Sequence, residues 1–439
     1  MSGSTKKFQV TPGGHLQGEI RVTGDKSISH RSIMLGSLAD GVTIVEGFLE
    51  GDDNLATLNA FRKLGVEING PVNGRVEIYG VGIDGLRAPA DVIDLGNSGT
   101  SMRLLTGLFA AQQFNTTLTG DKSLVTRPMR RVIDPLTKMG ASFATSDTGT
   151  PPIEISGKQQ LCGIDYDMPV ASAQVKSSIL LAGLYANGQT CVTEPAPTRD
   201  HTERMLKGFG YKVQVTANKI CLLGGGRLTA THIDVPGDIS SATFFIVGAC
   251  IAEGSELTIK HVGINPTRIG VINILRLMGA DISIDNEIDV GGEPVADIHV
   301  KHAKLHGIDI PEAQVPLAID EFPAIFIAAA CAEGKTVLTG ARELRVKESD
   351  RIQAMADGLM ILGINAEATA DGIIIEGGRI GGGSVNSLGD HRIAMSFAMA
   401  GLCANNEIEI LDCENVNTSF PGFADLANQV GLSLTVQDI

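Results

Sequence analysis

Apolar positions along this chain fall into two helical patterns that alternate. The first is amphipathic. Over 53–64, Leu55, Leu58, Phe61 and Leu64 recur at three-residue spacing among polar neighbours, and Gly65 follows as a natural C′ stop. The same ending returns at Gly140 (KMGASF), Gly210 (KGFGYKV), Gly279 (RLMGADI), Gly363 (MILGINA) and Gly431 (NQVGLSL), every 68 to 84 residues. The second pattern is apolar nearly all round and is rich in Ala and Gly. It occupies 27–39, 98–111, 172–186, 238–252, 320–332 and 390–404, and a helix without a polar face must be buried on every side. Short β-branched runs such as VTIVEGF, TTLTGD, QTCVTEP, ELTIKHV and KTVLTGA lie between the helices. Each unit therefore reads as strand-helix-strand-helix-strand-strand, with one helix inside and one outside. The period exceeds the solenoid range, so each unit is a small α/β subdomain and not a stacked repeat. The expected fold is α/β, six βαβαββ units arranged as two domains of three. A cleft between the domains is where function is expected.

The openings of the all-apolar helices carry candidate chemistry: Lys26-Ser27, Asn97-Ser98-Gly99-Thr100, Ser172-Ala173-Gln174, Asp238-Ile239-Ser240-Ser241, Asp320-Glu321 and Asp390-His391-Arg392. Ser, Asn and Asp there are ordinary N-caps. Cations are less ordinary, because a helix N-terminus already carries partial positive charge and disfavours them by roughly 0.3–1 kcal/mol. Yet Lys26, Arg31, Arg103, Lys176 and Arg392 all fall within about two turns of such starts. Five cases point to an anion, a phosphate or carboxylate, bound where helix starts and cations converge.

Net charge sharpens that reading. At −15 over 439 residues, the chain has no broad surface for nucleic acid or anionic membrane, so the cations belong to a local pocket. It has no Trp and only four Tyr, too few stacking residues for a single-strand nucleic-acid binder. The start, MSGSTKKFQV, has no apolar signal core, and runs such as 324–332 are too short to span a bilayer. The seven cysteines are scattered without CxxC or zinc spacing, which reads as reduced thiols in a cytoplasmic protein.

Three further basic clusters open outer helices: Thr126-Arg127-Pro128-Met129-Arg130-Arg131, with Pro128 at N1, Thr198-Arg199-Asp200-His201, and Arg345-Val346-Lys347-Glu348-Ser349-Asp350-Arg351. In the last, Lys347 and Arg351 are four apart and hence on one face. Glu348 beside them is a candidate proton carrier. GDKS at 24–27 and 120–123 is not a Walker loop, and HExxH, GxSxG and metal-ligand spacings are missing from the sequence.

Together GDKSISHR (24–31), LGNSGTSMRLL (95–105), RPM (127–129), SAQVKS (172–177), RVKESDR (345–351) and GDHRIAMS (389–396) closely resemble the 5-enolpyruvylshikimate-3-phosphate synthase family, in order and over nearly the whole chain. The resemblance implies an inside-out α/β barrel fold. One lobe would span 24–236 and the other 1–23 plus 237–439, with the active site in the cleft between. It implies transfer of the enolpyruvyl group of phosphoenolpyruvate to the 5-hydroxyl of shikimate 3-phosphate. Shikimate 3-phosphate would be held by Lys26, Ser27, Arg31, Ser172, Ala173, Gln174, Arg199, Asp320 and Lys347. Phosphoenolpyruvate would be surrounded by Lys26, Gly99, Arg127, Gln174, Glu348, Arg351, His391 and Arg392. The catalytic set implied is Asp320 as base, Glu348 as acid and Lys26 as electrostatic stabiliser. No cofactor and no metal are implied, and the expected state is a monomer.

Ala173, Glu343, Leu104 and Thr418 align the chain with the second branch of the family, and Thr418 is given no role. The nearest rival is the sister transferase acting on UDP-N-acetylglucosamine. That enzyme carries a loop cysteine where this chain has Lys122, and Lys-Asn in place of Lys26-Ser27. A non-catalytic anion-binding protein on the same scaffold would have lost acid–base residues that Lys26, Asp320, Glu348 and His391 retain.

Overall fold

The computed structural model describes residues 6–438. Among them, twelve α-helices alternate in burial. They are α1 (Lys26–Leu38), α2 (Asp52–Lys63), α3 (Gly99–Phe109), α4 (Arg130–Lys138), α5 (Ala173–Gly183), α6 (His201–Gly208), α7 (Ile239–Ile251), α8 (Gly270–Leu277), α9 (Phe322–Cys331), α10 (Arg351–Ile361), α11 (His391–Ala400) and α12 (Phe423–Val430). The odd-numbered helices are buried almost all round and coincide with the all-apolar segments. The even-numbered helices keep a polar face. The six repeat glycines, Gly65, Gly140, Gly210, Gly279, Gly363 and Gly431, each follow an even helix with φ of 86°, 104°, 80°, 96°, 83° and 121°. Residues with a Cβ disfavour that left-handed conformation, which is why glycine ends each helix.

Six sheets share one topology: a short first strand lies parallel to a second, which pairs antiparallel with a third, and that with a fourth. Asp165–Asp167 lies parallel to Gln189–Thr193, which is antiparallel to Lys219–Leu223, itself antiparallel to Val213–Thr216. Ile93–Asp94, Thr116–Thr119, Ile153–Ile155 and Phe143–Ala144 repeat this order. In the sheet built on Lys335–Leu338, isolated parallel bridges from His306 to Glu333 and from Asp309 to Val337 replace the first strand. The last sheet borrows a strand from the start of the chain: Lys6–Val10 pairs with Ile408–Leu411 on one side and Leu434–Asp438 on the other.

The chain forms two compact units. One takes the described residues up to Thr23, Pro236–Ile288 and Pro294 onward; the other takes Gly24–Val235 and Asp289–Glu293. Each has its own apolar core. In the first, Phe8, Phe244, Phe245, Phe420 and Phe423 form an aromatic cluster. In the second, Phe61 and Phe109 pack with ring centres 6.4 Å apart. Among the described residues, no helix is long and apolar enough to cross a membrane.

Three local expectations are corrected. Pro128 is not at N1: α4 starts at Arg130, and Arg127, extended at ψ 132°, adopts the conformation a following proline imposes. The run 345–351 is not one helix. A 3₁₀ turn, Arg342–Val346, ends at an extended Lys347 before Asp350 caps α10. The cysteines are not all thiols, since Cys191 and Cys221 form a disulfide. They stand directly opposite on the antiparallel pair Gln189–Thr193 and Lys219–Leu223, a proximity that a spacing of 30 residues does not announce.

Candidate active site

In the unit that holds α1 to α6, the three inner helices begin at one level. Arg31 Nη2 of α1 donates to Ser177 Oγ of α5 at 2.9 Å, and Arg103 Nη1 of α3 donates to Gln174 Oε1 of α5 at 2.8 Å. Between α1 and α3, His30 Nδ1 meets Ser101 Oγ at 3.4 Å. Side chains cap these starts: Asp25 accepts from the Ile28 N–H, Ser98 from Ser101 and Ser172 from Val175.

Around those starts stand Lys26, Ser27, Gly99, Arg127, Ser172, Ala173 and Gln174. Lys26 Nζ pairs with the Asp53 carboxylate. Arg127 Nη2 donates to Asn97 Oδ1 at 3.0 Å, and Gln174 Nε2 donates to Thr100 Oγ1 at 3.0 Å. A Cβ on Gly99 would lie 2.9 Å from Arg103 Nη1 and 3.0 Å from Arg127 Nη1, so the missing side chain lets two guanidinium groups close over one helix start. Arg199 lies half-buried just before Asp200, the N-cap residue of α6.

Two of the five helix-start cations are turned inward. Arg31 is buried, and its three nitrogens donate to Thr202 Oγ1 (2.7 Å), Ser27 O (2.9 Å) and Ser177 Oγ (2.9 Å). Burial lowers its pKa to about 10, with Glu203 and Asp25 opposing the shift. Lys176 is fully buried between Glu194 at 3.0 Å and Glu203 at 2.7 Å. Burial raises the Glu203 pKa against the pull of Lys176. Lys176 thus sits in an internal ion triad and its charge is spent on two carboxylates.

In the other unit, Arg351 is the hub. Its side chain is 1 % exposed and reaches three carboxylates: Asp390 through Nε at 2.8 Å, Asp320 through Nη1 at 3.3 Å and Glu348 through Nη2 at 2.7 Å. Burial works against its charge, but Asp390, Glu348 and Asp320 outweigh it and hold the group protonated beyond the ordinary arginine range. Lys347 Nζ joins Asp320 at 3.6 Å and Glu343 at 3.2 Å. Lys347 and Arg351 thus converge on Asp320 although no helix connects them. His391 and Arg392 open α11, where Asp390 caps the Arg392 N–H at 3.0 Å. Arg392 Nη1 donates to the Asp320 carbonyl at 2.9 Å. Thr418 bonds back to Asn415 O at 2.7 Å within a 3₁₀ turn.

Two groups outside the expected set belong to these clusters. Arg103 orients Gln174, and Glu321 faces Arg392 at 3.7 Å. The sequence signal for Arg103 was its place one turn into an apolar helix. Glu321 was visible only as the neighbour of Asp320. Among the described residues, no group of three or more His, Cys, Asp or Glu side chains is arranged to hold a metal ion. The chemistry on hand is cationic recognition of anions at helix starts, beside carboxylates able to carry protons.

This arrangement has the architecture of an enolpyruvyl-transferase-type α/β enzyme, six βαβαββ units in two groups of three. The family model EPSP synthase (3-phosphoshikimate 1-carboxyvinyltransferase) matches residues 10–426. A Methylococcus capsulatus protein named 3-phosphoshikimate 1-carboxyvinyltransferase is 66% identical, covering 98% of this chain and 98% of its own. An Alkalilimnicola ehrlichii protein of the same name is 65% identical, over 98% and 97%. The solved structure of EPSP synthase from Acinetobacter baumannii superposes with a TM-score of 0.91 at 60% identity, covering 99% of this chain and 100% of that one. The chain belongs to the EPSP synthase family.

Proposed function

We infer that this chain transfers the enolpyruvyl group of phosphoenolpyruvate to the 5-hydroxyl of shikimate 3-phosphate and releases phosphate, as a step in aromatic amino acid biosynthesis. The observation that carries this reading is similarity along nearly the whole chain to proteins of that named activity. The cationic helix starts supply a physical reason for it, since both substrates are anions.

The residues divide by the chemistry required. Lys26, Ser27, Arg31, Ser172, Ala173, Gln174, Arg199, Asp320 and Lys347 are assigned to shikimate 3-phosphate. Arg31 would act from behind through Ser27 O, which it holds at 2.9 Å. Lys26, Gly99, Arg127, Gln174, Glu348, Arg351, His391 and Arg392 are assigned to phosphoenolpyruvate. Glu348 gives a proton to the methylene carbon while Asp320 takes the proton of the 5-hydroxyl, whose oxygen bonds to the central carbon. The tetrahedral intermediate then expels phosphate with the C–O electron pair, and the departing phosphate takes up the hydroxyl proton that Asp320 held. Glu348 recovers a proton from the new methyl group, which restores the double bond. Lys26 stabilises the charge that develops on both substrates. Atoms balance between the two substrates and these side chains, so no cofactor is assigned. A cytoplasmic monomer is the proposed setting.

Phosphate release from phosphoenolpyruvate tests the reading, with shikimate 3-phosphate or UDP-N-acetylglucosamine as acceptor. Release with shikimate 3-phosphate alone is expected. Release with the nucleotide sugar alone would move the chain to the sister transferase, and release with neither would leave an anion-binding protein.

A further inference from the structure

Asp238, Ser240 and Glu321 open inner helices, yet the proposed reaction uses none of them. Within their unit they join Arg268 and Arg392 in a buried run of alternating charge. Asp238 Oδ1 accepts from Arg268 Nη2 at 2.9 Å and also from the Ser240 N–H at 2.9 Å. The same Arg268 Nη2 donates to Ser240 Oγ at 2.7 Å and lies 3.8 Å from Glu321 Oε1. Ser240 Oγ in turn donates to Glu321 Oε1. That same oxygen stands 3.7 Å from Arg392 Nη1. The side chains of Arg268 and Glu321 are 3 % and 1 % exposed. One carboxylate oxygen therefore receives a hydroxyl and two guanidinium groups, and it links the starts of α7, α9 and α11.

Arg392 is held on one side only. Nη1 meets the Asp320 carbonyl and Glu321, whereas Nε and Nη2 meet no protein hydrogen-bond partner among the described residues. Its side chain is 15 % exposed. A guanidinium fixed through one nitrogen and open at the others is set to meet an anion in a bidentate manner.

We propose that Glu321 is a positioning residue for Arg392, aiming its open edge at phosphoenolpyruvate while Arg268 and Ser240 hold Glu321 in place. The proposal rests on the enolpyruvyl-transfer reading. Glu321 is the carboxylate that Arg268 and Arg392 share, at 3.8 and 3.7 Å from one oxygen. Removing its charge leaves the two guanidinium groups with the single Asp238 carboxylate, which Arg268 already holds at 2.9 Å. The uncompensated charge falls on Arg392, the less buried of the two, and it is the one that turns away.

Steady-state kinetics on the full chain test this. Glu321→Gln keeps the shape and an acceptor for Ser240 but loses the charge. It is expected to raise KM for phosphoenolpyruvate about tenfold or more, the consequence of leaving buried like charges uncompensated. Binding of shikimate 3-phosphate alone changes less than about twofold, because that equilibrium does not use Arg392. Adding Arg268→Met to Glu321→Gln removes the repelling partner and is expected to restore much of the lost affinity, a rescue that a merely structural role would not produce. Should Glu321→Gln fail to fold, Ser240→Ala decides, with a smaller rise in the same KM. Unchanged KM for phosphoenolpyruvate in the variants that fold, or KM values for both substrates rising in parallel, would overturn the proposal while leaving the parent activity intact. A wild-type chain that releases no phosphate with shikimate 3-phosphate would overturn both.

Discussion

Gly99 shows how much a single missing methyl decides. Two guanidinium tips occupy the space around its absent Cβ, at 2.9 and 3.0 Å. Both belong to flexible side chains that can retreat by a few tenths of an ångström. Gly99→Ala should therefore fold well, since Gly99 is the first residue of α3 and has no positive φ that would strain a Cβ there. KM for phosphoenolpyruvate should nonetheless rise several-fold as Arg127 moves out. Thermal melting and kinetics on one preparation check both halves, and a loss of stability with unaltered KM would refute the geometry. Asp320 and Glu348 are a different case, because their proposed work is chemical. Asp320→Asn and Glu348→Gln should each lower kcat by about a hundredfold or more, the usual scale for a positioned acid or base. Near-normal turnover in either variant would remove that assignment. At this scale the sequence records which residue stands at a helix start but not which way it faces. Arg31 and Lys176 look like Lys26 and Arg392 in the sequence. They turn inward because Thr202, Ser177, Glu194 and Glu203, residues up to 171 positions away, wait for them. Glu321 was hidden for the same reason: its partners at 240, 268 and 392 come together only in the fold.

Elements were far more legible, because helical periodicity and a terminating glycine are local properties. Gly363 isolates the second of these. Nothing lies within 4 Å of a Cβ built on it, but its φ is +83°. Gly363→Ala should cost about 1 kcal/mol from backbone strain alone, visible as a lower denaturant midpoint with kinetics unchanged. A neutral result would mean that α10 can end in another way. The run 345–351 shows where local reading stops. Its charge spacing fits a helix, yet the chain there is a 3₁₀ turn and an extended residue, fixed by Asp350 accepting from Gln353 N–H and by Arg345 reaching Thr369 O and Ala370 O. Where α1, α2 and α3 meet, buried His30 contacts Thr57 Oγ1 at 2.8 Å, and Thr57 contacts Ser101 Oγ at 2.6 Å. Burial holds the His30 pKa well below its ordinary value, and the charges of Lys26 and Arg31 add to the shift. The sign follows: the unfolded chain binds this proton more readily than the folded one. Stability is whole above about pH 6.5 and falls as pH drops below that value, by up to about 1.4 kcal/mol per pH unit. Denaturant midpoints at pH 7.5 and 5.5 should differ for the wild type and differ less for His30→Gln. Equal pH sensitivity in both proteins would place the acid-labile group elsewhere.

Across the whole molecule, sequence order and structural membership part company. The chain enters one unit, leaves it at Gly24, returns at Pro236 and departs again for Asp289–Glu293. Local periodicity carries no trace of that path, because strand pairing over hundreds of residues follows from which faces are left to cover. Lys6–Val10 is the sharpest instance. It precedes α1 in sequence but is sandwiched between Ile408–Leu411 and Leu434–Asp438, and Phe8 stacks on Phe423 at 6.3 Å. Two separate cores imply two cooperative blocks, and a cavity in one distinguishes them. Phe109 is fully buried in the core of α1, α3 and α5, so Phe109→Ala should destabilise that block by about 3–5 kcal/mol. Amide hydrogen exchange should then accelerate throughout α1, α3 and α5 while α7, α9 and α11 keep their protection. The strand Lys6–Val10 gives the decisive reading. It should remain protected with the distant half of the chain, although the first residue of α1 is only 16 positions beyond Val10. Exchange rising equally in Lys6–Val10 and in α1 would show that the two cores open as one.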